Sequence, residues 1–308
     1  MNFQQLRIIR ETVRRKFNLT EVAAALGTSQ SGVSKHIKDL EDELGVSLFV
    51  RRGKRLLDLT EPGQQIVGIV ERILTDAGNI KRIADQLSKA DDGELTIATT
   101  HMQARYALPP VIATFRKAFP NVRLVLHQSS PSEIVSMLLE GRADIGIATE
   151  AVTRTAELVA FPYYSWRHAV IAPEGHPLAG QKRLDIHALA QYPIVTYHPG
   201  FTGRPTIDRA FEAAGEKPDI VMEAIDADVI KAYVELGLGV GIVAAQSFDP
   251  ARDRGLARID SEHLFEESTS HIALRRGRFL RVFAYRFIEA CQPGLTEAVV
   301  RKQFLIEE

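Results

Sequence analysis

Apolar side chains open the chain at Phe3, Leu6, Ile9 and Val13, the three-to-four spacing of a single helix face. Thr20 reads as the cap of a second, alanine-rich helix over EVAAAL, and Gly27 as its stop. Thr28 or Ser29 caps a third, SGVSKHIKDLEDELG, which runs to Gly45. Val33, Ile37, Leu40 and Leu44 form the buried stripe of that third helix. Ser29, Gln30, Ser31, Ser34, Lys35 and Lys38 are left near its N-terminus on the other side. Helix, glycine turn and helix make a helix-turn-helix pattern, and small polar residues with lysines suit entry into a DNA major groove. The run LFVRRGKRLLDLT (48–60) then predicts a hairpin with a basic tip. Such a wing places Arg51, Arg52 and Lys54 within reach of phosphate or the minor groove.

From Gln64 to about Ser88 the apolar positions Ile66, Val70, Ile73, Ala77, Ile80, Ala84 and Leu87 step by four and three. That is a heptad seam on a rod of about 37 Å. A second copy of the chain would cover it and bring two reading heads to two half-sites; packing of the helix on its own body is the alternative.

Beyond residue 91 the pattern changes to strands (ELTIATT, VRLVLHQ, ADIGIAT, HAVIAP, PIVTY) alternating with helices, which predicts an α/β fold with largely parallel sheets. The length suits two lobes. FPYYSW (161–166) reads as a crossover, with a return near Glu266–Ser270 and SHIALRR as the last strand. The expected organisation is a winged helix-turn-helix domain (1–60), a linker and dimerisation helix (61–90) and a bilobal effector-binding domain (91–308). Its lobe I covers about 91–162 and 268–308, and its lobe II about 163–267.

Two strand-to-helix junctions carry candidate chemistry. In TTHMQARYAL (99–108) Thr100 and Gln103 sit where unpaired helix N–H groups and the helix dipole favour an anion. In HPGFTGRPTIDRAF (198–211) Thr202 and Arg204 occupy the equivalent place, and Thr149 ends the strand DIGIAT. Facing lobes would bring these groups to one cleft. A threonine at a helix start is commonly only a cap, so the pairing of junctions carries the reading.

Charge sharpens the picture of the head. Net charge is −1 over 308 residues, yet residues 1–60 hold eleven Lys/Arg against seven Asp/Glu, net +4, leaving 27 against 32, net −5, for the rest. The single cysteine, Cys291, excludes an intrachain disulfide and reads as apolar filler. The first residues lack the apolar stretch of a secretory signal, and LGLGVGIVAA (236–245) is too short to span a bilayer. A cytoplasmic protein without a membrane partner is expected. No metal-ligand spacing, nucleophile elbow or dinucleotide-loop context is present, so no metal, no cofactor and no enzymatic activity are expected.

LTEVAAALGTSQSGVSKHIKDLEDELGVSLFVRRGKRLLDLTEPG resembles the winged helix-turn-helix of the LysR-type transcriptional regulators. TTHMQARYALP, ATEA, GFTGR and DADVIKAYVELGLGVGIVA resemble the CysB/Cbl-like subgroup, over nearly the whole chain. The resemblance implies a bilobal domain similar to periplasmic binding proteins, and dimers that often pair into tetramers. It also implies control of sulfur-assimilation or sulfonate-use genes on double-stranded promoter DNA, with RNA polymerase a candidate further partner. The effector would be a small sulfur-related anion such as sulfate, adenosine phosphosulfate, thiosulfate or acetylserine, held by Thr100, Gln103, Thr149 and Thr202. Met102 departs from the subgroup, which has a threonine there. A thioether is at best a weak acceptor, so either the pocket is tuned to another compound or Met102 points into the core. The alternatives are an anion-binding or transport receptor without a DNA role, and an enzyme on the bilobal fold.

Overall fold

Asn2 caps α1 (Phe3–Arg14) by accepting the Gln5 N–H, while the Gln5 side chain accepts the Asn2 N–H in return. α2 (Leu19–Leu26) starts at Asn18 rather than Thr20: the Asn18 carboxamide accepts the N–H groups of Thr20 and Glu21, so Thr20 lies inside the helix. Gly27, in the left-handed region at φ 63°, ends it. Ser29 caps α3 (Gln30–Leu44), again with a left-handed glycine, Gly45, at its end. Ile8, Ile9, Val22, Val33, Ile37 and Leu40 enclose one core with Leu48, Phe49 and Leu56 of the wing. Phe3 and Leu44, assigned to the apolar stripes, are exposed. The wing is β1 (Phe49–Arg52) paired antiparallel to β2 (Arg55–Leu59).

α4 (Glu61–Ser88) follows, 28 residues and about 42 Å long. A Cβ on Gly63 would stand 2.0 Å from the Leu48 carbonyl oxygen, so the helix can leave the wing this closely only with glycine there. The expected seam divides along this helix. Val70 is buried against Leu6 of α1 together with Leu74, a residue outside the heptad reading, and Ile66 and Ile73 are partly buried. Ala84, Ile80 and Leu87 are exposed, the last two by 70% and 84%.

The computed structural model describes residues 1–53, 55–88, 92–180 and 183–304. They form two compact units: Met1–Ser88 with Gly277–Phe279, and Lys89–Arg276 with Leu280–Glu308.

The second unit holds two five-stranded sheets. β3 (Gly93–Thr99) leads through a π-helical turn (Gln103–Ala107) into α5 (Leu108–Ala118). Then come β4 (Val122–Gln128), α6 (Pro131–Leu139), β5 (Ile145–Ala148) and β6 (Leu158–Trp166). The chain crosses at Arg167 into β7 (His168–Pro173), α7 (Ile186–Leu189), β8 (Ile194–Tyr197) and α8 (Arg204–Ala213). β9 (Ile220–Ala224), α9 (Ala227–Glu235), β10 (Val240–Ala244) and β11 (Leu256–Ile259) complete this lobe. β12 (Ser268–Arg275) returns to the first sheet, followed by α10 (Val282–Cys291) and α11 (Glu297–Phe304).

The first sheet has the order β4-β3-β5-β12-β6 and the second β11-β7-β10-β8-β9. Each is mixed rather than largely parallel, because β12 and β6 in one sheet and β7 and β11 in the other run antiparallel to their neighbours. FPYYSW is not the crossover itself: β6 stays paired with β12 as far as Trp166 opposite Ser268. In both sheets the chain order reverses around a central parallel strand, at β3/β5 and at β8/β10. Ligands of open α/β sheets bind outside the carboxyl ends of the strands at such switch points.

Candidate functional site

The recognition surface is built on α3. Ser29 is occupied as its cap, accepting the Gly32 N–H at 3.1 Å, and lies 3.1 Å from the Ser31 hydroxyl. Gln30, Ser31, Lys35 and Lys38 are exposed, and Ser34 is half-buried. A groove of about 920 Å³ runs between α3 and the wing, lined by Ser31, Ser34, Lys35, Lys38 and Arg51 among others. Arg51 does not stand free at the tip. Its guanidinium donates to Glu41 at 2.6 Å, and the other Glu41 oxygen accepts the N–H groups of Leu48 and Phe49. Glu41 thus ties the wing to the recognition helix, and Arg52, beside Gly53, and Arg55, opposite it, are exposed cations of the hairpin. Lys54 lies outside the described residues.

In the second unit the switch points place Thr100 and Thr149 at the ends of the neighbouring strands β3 and β5, where Thr99 pairs with Ile147. Thr202 lies at the end of the loop from β8 into α8. Thr100 and Thr202 are 5% and 4% exposed, and neither hydroxyl has a hydrogen-bond partner among the described residues. Thr202 is also β-branched at φ 40°, in the left-handed region such residues avoid.

Gln103 is spoken for. Its amide donates to the Ser270 hydroxyl at 2.9 Å, and its oxygen accepts from Tyr164. Ser270 also accepts the Trp166 indole N–H at 3.1 Å and lies 3.4 Å from the Thr149 hydroxyl. This fully buried serine is therefore the hub under the cleft. Met102, 3% exposed, packs with Trp166 and Ala244, with Tyr106 and Tyr164 beside it. Its thioether fills the apolar side of the junction, the second of the two placements weighed from sequence.

Arg204 is a correction. Buried, it donates to Asp208 at 2.7 Å, to Glu223 at 2.7 Å and to the Tyr197 carbonyl at 2.5 Å, all in its own lobe. Its charge is neutralised by two carboxylates instead of being offered to a ligand. The donor at this helix start is the backbone N–H of Gly203, which reaches Glu150 of the first lobe at 2.6 Å.

Other residues invisible to sequence patterns brace the site. His168, wholly buried beside Trp166 and Phe265, bonds the Thr202 carbonyl through Nε2 at 3.0 Å, so that nitrogen carries the proton. Burial pushes its pKa down to about 4. Tyr106 donates to Asp228 at 2.7 Å, and His101 and Lys231 each stand 3.2 Å from the same carboxylate. Burial pushes the Asp228 carboxyl up, but hydrogen bonds from Tyr106, His101 and Lys231 prevail and bring it to about 2. His101, Asp226 and Asp228 have ligand atoms within 4.8 Å of one another, but Arg105 and Lys231 already balance the charge there. Cys291 is half-buried, and burial drives its thiol up to about 12, which leaves it unreactive.

No helix among the described residues is long and apolar enough to cross a membrane. Residues 3–64 match the family model described as bacterial regulatory helix-turn-helix protein, lysR family, and residues 88–296 the LysR substrate binding domain. The chain is 58% identical over 300 residues to the HTH-type transcriptional regulator SsuR of Burkholderia cenocepacia, covering 97% of each. It is 51% identical to the regulator Cbl of Escherichia coli K12 (99% of this chain, 96% of the other) and 50% identical to CysB of B. cenocepacia (98% and 96%). The crystal structure of the cofactor-binding domain of Cbl superposes with a TM-score of 0.68 at 46% identity, covering 70% of this chain and 95% of that one. Full-length OxyR from Pseudomonas aeruginosa shares the fold at 21% identity and a TM-score of 0.65 over 96% and 94% of the two chains. With both of its units matched to family models of regulators rather than of enzymes, the chain belongs to the LysR family of DNA-binding transcriptional regulators, among relatives named SsuR, Cbl and CysB.

Proposed function

We propose that this regulator controls sulfur-assimilation or sulfonate-use genes and is switched by a small sulfur-related anion bound between the lobes of its second unit. The observation that carries the anion reading is the pair of hydroxyls without protein partners on two largely buried threonines, Thr100 and Thr202, at the switch points of two different sheets. Thr149 completes the set. Sulfate, thiosulfate, adenosine phosphosulfate and acetylserine are the candidates, and the likeness to SsuR, Cbl and CysB supports that chemistry. The bound form would differ from the free form in lobe closure, and a ligand shifts the balance only by binding one form better.

The DNA face is α3 with the wing: Gln30, Ser31, Ser34, Lys35 and Lys38 toward base edges and phosphates, Arg52 at the exposed end of the wing, and Arg51 as its strut. The exposed Ile80 and Leu87 favour self-association through the far half of α4, with the near half already packed on α1. A homodimer, pairing further into a tetramer in the cytoplasm, follows from this reading. The boundaries proposed are 1–60, 61–90 and 91–308, with the lobe crossovers at Arg167 and Glu266–Glu267.

The test is binding of the full chain to promoter fragments upstream of sulfonate-use genes, by anisotropy and footprinting, with and without each candidate anion. A specific footprint whose length or affinity changes with one anion is expected. A footprint that none of them alters refutes the switch.

A further inference from the structure

The chain passes between the lobes of the second unit at Arg167 and at Glu266–Glu267, and Arg167 ties these crossovers together by donating to the Phe265 carbonyl at 3.1 Å. The first crossover joins β6 to β7. In the first sheet β3 lies three places from β6, and in the second β9 lies three places from β7. At about 4.8 Å per place, both strands run roughly 14 Å from the hinge. The lobes touch again through side chains that follow those two strands. The junction after β3 is a π-helical turn (Gln103–Ala107), a rare form that recurs at functional sites. Its Tyr106 donates at 2.7 Å to Asp228, in the first turn of α9, and packs against the hydrophobic core of the other lobe. His101 and Arg105 stand 3.2 Å and 3.4 Å from the second Asp228 oxygen. Burial and the Asp228 hydrogen bond push the Tyr106 phenol up, so it keeps the proton it donates.

Each side of this joint keeps partners of its own. Lys231 stands 3.2 Å from Asp228 and also holds Asp253 at 3.0 Å and the Ser247 carbonyl at 2.9 Å, all in the second lobe. His101 Nδ1 lies 3.0 Å from the Gln128 side-chain oxygen in the first. Parting of the lobes leaves Asp228 with Lys231 and His101 with Gln128, and passes the half-buried Tyr106 hydroxyl to water. Contacts whose loss leaves a charge buried and unpaired are very costly to break. This one strands no such charge, so it can open and re-form. Other hydrogen bonds cross between the lobes nearer the hinge: Gln246 donates to Tyr164 at 2.9 Å, and Gly203 to Glu150 at 2.6 Å. They follow β10, β6, β8 and β5, all closer to the crossover than β3 and β9.

We propose that Tyr106 and Asp228 form a latch that keeps the two lobes closed in the ligand-free chain and sets the closed–open balance on which an effector acts. The argument is one of leverage and reversibility. An opening of about 10° moves a point roughly 14 Å from the hinge by about 2.5 Å, enough to break a hydrogen bond, and moves the inner contacts proportionately less. A bond to an ionised carboxylate is of the stronger kind, so the outermost contact is also the one worth most against opening. A ligand then shifts the balance only by favouring one of the two forms, whatever its chemistry.

The experiment is acrylamide quenching of Trp166 emission in the full chain without ligand, for wild type, Tyr106→Phe, Asp228→Ala and the double variant. Trp166 is the one tryptophan, is 4% exposed, and packs with Met102 of the first lobe and Ala244 of the second, so opening uncovers it. Phenylalanine keeps the ring and deletes only the hydroxyl. Each single variant, with native circular dichroism, should raise the quenching constant at least about twofold, and the double variant should match the larger single, because both delete the same bond. A smaller rise in either folded single overturns the latch. So does a double variant whose rise combines those of the singles, which marks two separate packing losses. If Asp228→Ala does not fold, Tyr106→Phe decides alone by the same threshold. No ligand is present, so the latch can hold where calorimetry finds no anion, and fail where calorimetry finds one.

Discussion

Ser270→Ala removes one hydroxyl from a fully buried strand position and leaves the sheet intact. Two donors depend on that hydroxyl, the Gln103 amide at 2.9 Å and the Trp166 indole at 3.1 Å. Both belong to residues almost without exposure, 1% and 4%, so water cannot replace the lost acceptor without opening the lobe. Each buried donor left without a partner costs about 1–3 kcal/mol, which gives roughly 2–5 kcal/mol for the pair because neighbouring losses are not strictly additive. For a unit of this size that is a fall in Tm of roughly 5–15 °C. The readout is built in, since Trp166 is the one tryptophan of the chain and lies at the hub. Urea unfolding followed by its emission reports directly on the second unit. The variant should unfold at lower urea with an unchanged slope. A loss below about 0.5 kcal/mol would show that the donors find other partners, and Ser270 would cease to be the hub.

Lys35→Ala and Arg52→Ala should each lower the log–log salt slope of DNA binding by about 1, as loss of a phosphate contact does, and an unchanged slope for both refutes the assigned face. His168 binds its proton less well folded (about 4) than unfolded (6.5), so stability is complete above pH 6.5 and drains as pH falls toward 4. The drain is about 1.4 kcal/mol per pH unit. Urea midpoints at pH 7 and pH 5 should differ more in wild type than in His168→Asn, and equal differences refute the assignment. Ile80→Glu with Leu87→Glu should shift sedimentation toward monomer with the winged helix still folded, whereas Val70→Glu should unfold the first unit; no shift in the double variant removes the seam.

Much of this molecule is written locally. The helix-turn-helix, the wing, the long helix and most strands follow from spacing, because each is fixed by neighbours within a few turns. Thr20 fails as a cap because Asn18, two residues earlier, starts the helix ahead of it by accepting the N–H groups of Thr20 and Glu21. The seam is half right, since heptad spacing identifies an apolar face but not which partner covers each turn of it. The mixed sheets are missed because the pattern marks SHIALRR as a returning strand without giving its direction, and β12 enters antiparallel to β5 and β6. The same limit governs the site. Thr100 and Thr202 stand out at strand-to-helix junctions, where sequence signals helix starts, and Thr149 at the end of the strand DIGIAT. Ser270 lies in an ordinary strand, 167 residues from Gln103, and Glu150 precedes Gly203 by 53. No spacing rule links such positions. Arg204 shows the converse: a cation at a helix start invites an anion, but its carboxylate partners, Asp208 and Glu223, sit one helical turn away and on the neighbouring strand.

The claim at the centre is that two unpartnered threonine hydroxyls hold an anion between the lobes. Its most direct test is calorimetry of the full chain with adenosine phosphosulfate, acetylserine, thiosulfate and sulfate in parallel, on wild type and on Thr202→Val, which keeps the shape and the β-branched backbone preference while deleting the hydroxyl. One saturable ligand site per chain, weakened about tenfold or more in Thr202→Val with unchanged circular dichroism, is the expected result. Saturable binding of equal affinity in both chains, or none in either, would contradict it.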